Sequence, residues 1–282
     1  MRQAAQDLGV TFKLGEPATS IEFDGTRAIG VHSATGFRSA DAVVVNADFS
    51  GTIGQLIPDH LRKHWPDARI EEAKYSCSTF MLYLGIEGRY DHLDHHTIYL
   101  SKEYEQNIKE IEAGLIPEDP SIYLQNPSAT DPLFGDAKQS SIYVLVPVGN
   151  LVNGTDWSLD QSAAFRDRII ARLEELGLHG LQERIRFCKV TTPKDWQDGG
   201  LRYGATFNLS HGLDQMLCFR PRNRFSELEN VYLVGGGTHP GSGLPVIYEG
   251  ARISTDLLLS DLGVHCANAH GVSGSLLQEV PA

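Results

Sequence analysis

The feature that most constrains the fold is a short apolar strand that runs into a glycine-rich turn and then into a helix. Residues 230–234 read Asn-Val-Tyr-Leu-Val, which is typical of a buried strand, and residues 235–243 read Gly-Gly-Gly-Thr-His-Pro-Gly-Ser-Gly. A helix is predicted from about Pro245 to Leu262, because proline suits the first helical turn. Glycines let a ligand approach the backbone, and free N–H groups at a helix start attract anions. The pattern predicts an anion or cofactor seat or a plain tight turn, since its glycine spacing is not GxGxxG.

Short strands separated by turn residues occupy the first part of the chain. After a short opening helix, we predict strands over residues 10–14, 20–23, 28–32 and 42–46. Asp24-Gly25 and Thr35-Gly36 favour hairpin turns, so we expect a β-meander. The run 41–46 is nearly all apolar, which is expected of a strand covered on both faces.

The character of the chain changes near residue 71, where we predict an inserted second domain. Residues 75–86 are aromatic and β-prone, and the polar stretch 87–120 predicts surface loops with one short helix. A strand over 141–147 and an amphipathic helix over 157–177 follow. The predicted segments are 1–70, 71–221, 222–263 and a flexible tail over 264–282.

Composition excludes some classes of partner. The 282 residues hold 24 Lys and Arg against 36 Asp and Glu, and the net charge of -12 argues against nucleic acid as a partner. Four cysteines have no metal-ligand spacing and predict ordinary thiols in a reducing compartment: Cys77, Cys188, Cys218 and Cys266. The sequence has no signal-like apolar core at its start and no run of eighteen apolar residues, so we expect a cytoplasmic protein.

Three polar clusters each have two interpretations. Residues 91–96, Asp-His-Leu-Asp-His-His, resemble a metal cluster, but we favour a solvated loop and predict no metal site. Residues 219–224 are either a phosphate or partner patch or a charged loop whose arginines meet local carboxylates. His211 and His239 are candidates for proton transfer, but no partner for a catalytic triad can be assigned.

The glycine turn also lies within a longer recognisable motif. Residues 231–245, Val-Tyr-Leu-Val-Gly-Gly-Gly-Thr-His-Pro-Gly-Ser-Gly-Leu-Pro, closely resemble the C-terminal signature of bacterial-type phytoene desaturases and related carotenoid oxidoreductases. Residues 203–207 and 215–224 resemble the segment that precedes that signature in the same family. Residues 9–48 resemble the meander that these enzymes carry in mid-chain, so the resemblance covers essentially the whole sequence.

The resemblance implies an α/β (α+β), two-domain, flavin-dependent amine oxidase-like fold with FAD as its cofactor. Residues 1–70 and 222–263 would belong to the FAD domain, with its β-meander, and residues 71–221 to an inserted mixed-sheet substrate domain. Such enzymes pass hydride from a C–H bond of a long polyene, for example phytoene, to the flavin, which a quinone or oxygen reoxidises. The sequence has no strand–GxGxxG–helix unit, so we expect the N-terminal dinucleotide-binding part to be missing and the chain to be truncated.

The resemblance also implies site residues. The flavin would rest on the turn and helix start: Gly235, Gly236, Gly237, Thr238, His239, Pro240, Gly241, Gly243, Leu244, Pro245 and Val246. Candidate substrate contacts, each with packed core as its alternative, are Tyr75, Phe80, Tyr83, Phe207, Phe219 and Arg220. The flavin carries the chemistry, and His239 is the candidate catalytic side chain.

Two kinds of alternative remain. The chain could belong to a carotenoid isomerase or a retinol saturase-like reductase, which have the same fold and cofactor. It could also be a non-catalytic fragment or subunit that needs a separate nucleotide-binding chain. Polyenes dissolve in bilayers, so we expect peripheral contact at the inner face of the membrane.

Overall fold

The computed structural model describes residues 1–136 and 138–264, and the described chain divides into two compact units. Unit 1 comprises residues 1–47, 55–66 and those from Arg220 onward, and unit 2 comprises residues 48–54 and 67–219. Cys266 and all but the first residue of the predicted tail lie outside the described residues.

Ten strands and eight α-helices are assigned within the described ranges. The strands are β1 (Ala18–Asp24), β2 (Arg27–Ser33), β3 (Gly36–Ser39), β4 (Val43–Val45), β5 (Ser78–Glu87), β6 (His96–Tyr99), β7 (Ile122–Gln125), β8 (Gln139–Val148), β9 (Ile185–Thr191) and β10 (Val231–Leu233). The helices are α1 (Arg2–Asp7), α2 (Phe49–Leu56), α3 (Asp67–Glu72), α4 (Tyr104–Glu112), α5 (Leu159–Glu175), α6 (Leu181–Arg184), α7 (Pro193–Asp198) and α8 (Leu244–Asp261). Short 3-10 turns occupy Asp59–Leu61, Pro127–Ala129, Pro132–Phe134, Leu151–Asn153, Arg202–Gly204 and Leu217–Phe219. In the part of the chain described, no helix combines the length and apolar character needed to cross a membrane.

Unit 1 contains the predicted meander, formed by β1, β2 and β3 as consecutive antiparallel neighbours. Ile21 on β1 and Ala28 on β2 are buried. The third strand is β3 and not the predicted 42–46, because the chain reverses directly at Gly36, whose φ is +111°, and pairs at once with β2.

The predicted strand at 42–46 is real but has a different partner. β4 pairs in parallel with β10, with Val43 opposite Val231 and Val45 opposite Leu233. Val43 and Val45 are buried, whereas Val44 between them is 48% exposed. The strand is therefore well covered on one face, and the expectation of full cover on both faces was wrong.

The predicted strand over residues 10–14 was also wrong. The segment is irregular, Val10 and Leu14 are 49% and 72% exposed, and the Val10 N–H group bonds back to the carbonyl of Ala5. An alternating pattern forms a strand only beside another strand that satisfies its backbone groups, and no strand among the described residues pairs with this segment.

Unit 2 is built on a five-stranded sheet with the order β6-β7-β8-β5-β9. Each neighbouring pair in this sheet is antiparallel, so the expectation of a mixed sheet was wrong. β6 lies in the stretch predicted as surface loops, because its His96 and Thr97 look polar and its pairing with β7 is not visible in the sequence.

The core of unit 2 lies on one face of this sheet. Phe80, Leu82 and Leu84 alternate along β5, and each is at most 2% exposed. α5 packs Phe165 and Ile169 into the same cluster. Alternate residues of a strand point to opposite faces, so the intervening β5 side chains lie on the other face.

Candidate cofactor seat and substrate face

The glycine turn, residues 234–243, connects β10 to α8. β4 and β10 are parallel and end at the same edge, where Asn46 follows β4. Gly235 has φ +103°, and a Cβ atom there would lie 3.0 Å from the side-chain oxygen of Asn46. Residues other than glycine rarely adopt this φ, so glycine keeps the turn close to the end of the neighbouring strand.

Gly243 marks the open side of the turn. Its φ is +106°, and a Cβ atom built there would meet no heavy atom within 4 Å. Leu244 is 70% exposed, and Gly243 and Pro245 are exposed as well. A ligand can therefore approach the backbone at Gly243. A residue with a side chain at this position would obstruct that approach.

The start of α8 carries no side-chain cap. Gly243 is its N-cap residue, Pro245 lies in the first turn, and no acidic residue is present there. The first N–H groups of a helix lack intrahelical partners, and the helix dipole places partial positive charge beside them. An 18-residue helix with this start offers a site for an anion or an electron-rich oxygen.

The predicted cofactor residues lie in the turn and helix start, but they differ in solvent exposure. Gly237, Thr238 and Gly241 are buried, whereas the turn opens to solvent at Gly243. Thr238 holds the inner side, since its N–H group and its hydroxyl both donate to the carbonyl of Gly235, at 3.2 and 2.9 Å. Direct ligand contact at each predicted position stays a prediction.

His239 is half-buried, and its backbone is engaged on the inner side of the turn. Its N–H group donates to the carbonyl of Pro221 at 2.8 Å, and its carbonyl accepts from the side-chain amide of Asn223 at 3.0 Å. These contacts fix the backbone at this position, and proton transfer by the imidazole stays a prediction.

The structure separates two of the candidate substrate residues by the faces of β5. Phe80 is fully buried, stacks on Trp157 with ring centroids 5.4 Å apart and meets Phe165 edge-on at 4.8 Å. Tyr83 is half-buried on the opposite face. Its ring lies 5.5 Å from that of Tyr143.

Tyr83 belongs to a row of aromatic side chains that crosses three strands. The row consists of Tyr83 on β5, Tyr143 on β8 and Tyr123 on β7, and we call it the tyrosine face. The rings of Tyr143 and Tyr123 are 6.1 Å apart. Burial raises the pKa of Tyr143, and the neighbouring phenols of Tyr83 and Tyr123 act in the same direction. Burial therefore favours the neutral form of the Tyr143 hydroxyl.

The remaining substrate candidates lie elsewhere. The hydroxyl of Tyr75 donates to the carbonyl of Ile70 at 2.5 Å, and burial raises its pKa to about 12. Phe207 and Phe219 are 40% and 58% exposed. Arg220 is 1% exposed, and burial lowers its pKa to about 10.

Arg224 in the segment 219–224 and His96 in the segment 91–96 make contacts within the fold. Arg224 forms a bidentate ion pair with Asp261, with N···O distances of 2.8 and 2.6 Å. The ring of His96 bonds to the hydroxyl of Tyr123 at 2.7 Å. Within the described ranges no group of His, Cys, Asp and Glu side chains is arranged to hold a metal ion.

Comparison with known families decides the relationship of the chain. Residues 1–255 match the family of flavin containing amine oxidoreductases. The chain belongs to this family. The flavin and the oxidoreductase class expected from the glycine motif agree with the family's description.

Curated members of this flavin-containing family that resemble the chain are carotenoid desaturases. It is 43% identical over 269 residues to an all-trans-zeta-carotene desaturase of Myxococcus xanthus, covering 93% of this chain and 51% of the relative. It is 43% identical to a 4,4'-diapophytoene desaturase of Methylomonas sp. (92% and 51% covered) and 35% identical to a lycopene-forming phytoene desaturase of Pseudescherichia vulneris (91% and 53% covered). The resemblance to phytoene desaturases is confirmed, and the chain spans about half the length of these relatives.

Solved structures confirm the fold class as an α/β, amine oxidase-like fold. An oxidoreductase from Methanosarcina mazei aligns with a TM-score of 0.53 at 12% identity, covering 86% of this chain and 49% of that one. A putrescine oxidase variant aligns with a TM-score of 0.51 at 13% identity, covering 92% and 52%. At these identities the likeness concerns the fold alone.

The residues of the turn fit the family's flavin. The backbone is open at Gly243, the start of α8 has no side-chain cap and no acidic residue, and Asn46 offers a polar group beside Gly235. N–H donors at a helix start suit the electron-rich carbonyl edge of an isoalloxazine ring.

Sequence reasoning missed three residues that the structure makes prominent. Asn223 lies among the arginines of 219–224, whose charge is the more conspicuous signal in the sequence. Tyr123 and Tyr143 lie on strands whose pairing brings them beside Tyr83. The spacing of Tyr143 on β8 shows which face it takes, but only the register β7–β8–β5 shows that the three rings align.

Proposed function

We propose that this chain supplies the flavin-covering turn and the substrate-binding sheet of an FAD-dependent carotenoid desaturase. The observation that carries the proposal is the open glycine turn at Gly243 leading into the uncapped start of α8. The 43% identity to two carotenoid desaturases supports the substrate class. The reaction removes hydrogen across a carbon–carbon single bond of a polyene and extends its conjugation.

Gly235, Gly243 and the first turn of α8 would hold the flavin. When bound, the flavin accepts the hydride that leaves the polyene. The chain's contribution is electrostatic, because N–H groups at the start of α8 stabilise negative charge that develops near them. They are fixed in place before the reaction, so their orientation adds no cost at the reacting step.

The tyrosine face would contact the polyene. Tyr83, Tyr143 and Tyr123 present half-buried aromatic surface on the sheet face opposite the core of unit 2. Aromatic rings contribute a large contact area to an apolar ligand.

The oxidant and the membrane belong to the same proposal. A quinone or oxygen would reoxidise the flavin, and the polyene would be taken up from a bilayer by peripheral contact at the inner face of the membrane. Flotation of the chain with liposomes tests the membrane contact, because a peripheral protein floats with the lipid fraction.

The proposal is tested by incubating the chain with FAD, a quinone and liposomes that contain phytoene or zeta-carotene. We expect absorption maxima at longer wavelength and products that have lost hydrogen, because each added double bond lengthens the conjugated system. The same assay is repeated with the nucleotide-binding portion of the Myxococcus xanthus relative added as a separate chain.

Each other result identifies a different function. A product of unchanged mass indicates an isomerase, and a product that has gained hydrogen when a reductant replaces the quinone indicates a saturase. Activity only with the added portion identifies a subunit that needs a separate nucleotide-binding chain. An unchanged polyene in both assays contradicts the desaturase proposal.

A further inference from the structure

The segment 220–223 lies against the inner side of the glycine turn. The guanidinium of Arg220 is buried and donates from Nε and Nη2 to the carbonyl of Gly236, at 3.2 and 2.8 Å. Two donors from one planar group fix the direction of that carbonyl as well as its position. The sequence suggested a substrate contact for Arg220, whereas its described contacts are with the turn itself.

Asn223 makes a second set of contacts to the same turn. It is 3% exposed, and its side-chain amide nitrogen lies 3.0 Å from the carbonyl of His239 and 3.1 Å from that of Gly250 in α8. It also lies 3.1 Å from the hydroxyl of Ser254, which donates to the carbonyl of Leu233 at the end of β10. One amide thus joins the strand end, the turn and the helix.

These contacts determine which way the peptide groups of the turn face. Arg220 binds the carbonyl of Gly236 on the inner side, and in a trans peptide the following N–H group points the opposite way. The N–H group of Gly237 therefore points away from the guanidinium. Arg220 therefore fixes the orientation of this peptide from the buried side of the turn.

We propose that Arg220 and Asn223 are positioning residues that hold the carbonyls of Gly236 and His239 from inside the fold, so that the turn is set in advance to receive the electron-rich edge of the flavin. This inference rests on the proposed function for the identity of the ligand. The preorganisation of the turn is a property of the chain itself and can be measured without flavin.

The first test measures amide hydrogen exchange over residues 234–243 in the flavin-free chain. We expect exchange of these amides to rise ~10-fold in Arg220→Met and in Asn223→Leu, since each change removes hydrogen bonds to the turn. Arg220→Lys should show a smaller rise, because lysine keeps the charge but lacks the planar fork. Exchange in β1 and β2, which lie in unit 1 outside the turn, reports whether the unit that carries these substitutions remains folded.

Arg224→Met is the matched control. Arg224 lies in the same segment and binds Asp261 instead of the turn, so its loss should leave exchange over 234–243 unchanged. If Arg220→Met fails to fold, Arg220→Lys is compared with Arg224→Lys on the same amides. Exchange over the turn that is unchanged in folded Arg220 and Asn223 variants, or raised equally by the Arg224 control, overturns the inference.

The second test titrates FAD by the quenching of its fluorescence. We expect the dissociation constant to rise ~10-fold or more in Arg220→Met, with partial recovery in Arg220→Lys and no change in Arg224→Met. The exchange test addresses the positioning role, and the titration addresses the identity of the ligand, so either can fail without the other. Faster exchange in the variants together with no FAD binding by the parent chain would leave the positioning role standing and contradict the proposed cofactor.

Discussion

At the residue scale, Gly243 carries most of the argument for a cofactor. Its φ of +106° excludes most side chains on conformational grounds, and the empty space around it leaves the backbone accessible. Gly36 has almost the same φ, +111°, and similarly empty surroundings, but it lies in the hairpin between β2 and β3. Substitutions at these two positions therefore distinguish the effect of backbone strain, which both should cause, from the loss of ligand contact, which is expected at Gly243 alone.

We expect Gly243→Val to weaken FAD binding by at least ~10-fold, because the side chain occupies the space through which the ligand approaches. Gly36→Val should impose comparable backbone strain and leave FAD binding unchanged. Fluorescence titration of both variants measures this difference, with circular dichroism as a check on folding. Equal FAD affinity in the two variants would contradict the assigned seat.

Tyr232, Asp261 and Arg224 form a second informative group. The Tyr232 hydroxyl donates to Asp261 at 2.7 Å, and burial, followed by this hydrogen bond, raises the pKa of Tyr232 to about 12 from its usual value near 10. The same bond, followed by the ion pair with Arg224, lowers the pKa of Asp261. The folded chain therefore retains a phenolic proton that the unfolded chain releases near pH 10.

We expect Tyr232→Phe to reduce the loss of stability in alkali. A raised folded-state pKa contributes stability that is complete below the unfolded pKa and is lost as pH rises toward the folded one. Urea unfolding at pH about 9 and about 11 should show a smaller fall in the free energy of unfolding for the variant than for the parent. Tyr75, whose pKa is also raised to about 12, is present in both proteins and does not affect the comparison. Falls of equal size would contradict the role of Tyr232.

At the scale of elements, the two faces of β5 separate the packed core from the proposed ligand contacts. Phe80 lies in the core beneath α5, and Tyr83, three residues later, lies on the tyrosine face. The period of two along a strand makes this division unavoidable once the register with β8 is set.

We expect Phe80→Ala to lower the free energy of unfolding by ~3–5 kcal/mol, because it leaves a cavity in a packed core. Tyr83→Ala should cost ~1 kcal/mol or less, since the ring is half-buried at an open face, yet reduce polyene uptake from liposomes. Urea unfolding and a binding assay with zeta-carotene measure the two effects. A severe loss of stability in Tyr83→Ala with unchanged polyene uptake would assign that ring to packing.

At the scale of the whole molecule, the chain belongs to the family of flavin containing amine oxidoreductases. It spans about half the length of its curated desaturase relatives. The glycine turn that we propose as the flavin seat lies in unit 1, and the tyrosine face lies in unit 2. The net charge of -12 does not favour a polyanionic partner.

Local sequence determined the elements whose signals are short-range. The order of β10, glycine turn and α8 was predictable because proline, glycine and an apolar run act within a few residues of one another. The β1–β2 hairpin, the turn at Gly36 and the long strands β5 and β8 were predictable for the same reason. The motif at 231–245 further indicated the family before any geometry was known.

Tertiary structure alone decided the pairings and the contacts between distant residues. β4 joins β10 across more than half of the chain, the segment 10–14 is not a strand, and the three tyrosines align only through the sheet register. Asn223 and Arg220 reach the turn because the chain folds back beside it, which no local pattern encodes. Such contacts arise from burial and hydrogen-bond satisfaction among residues far apart in the sequence, whereas the turn and helix start are local properties of the backbone.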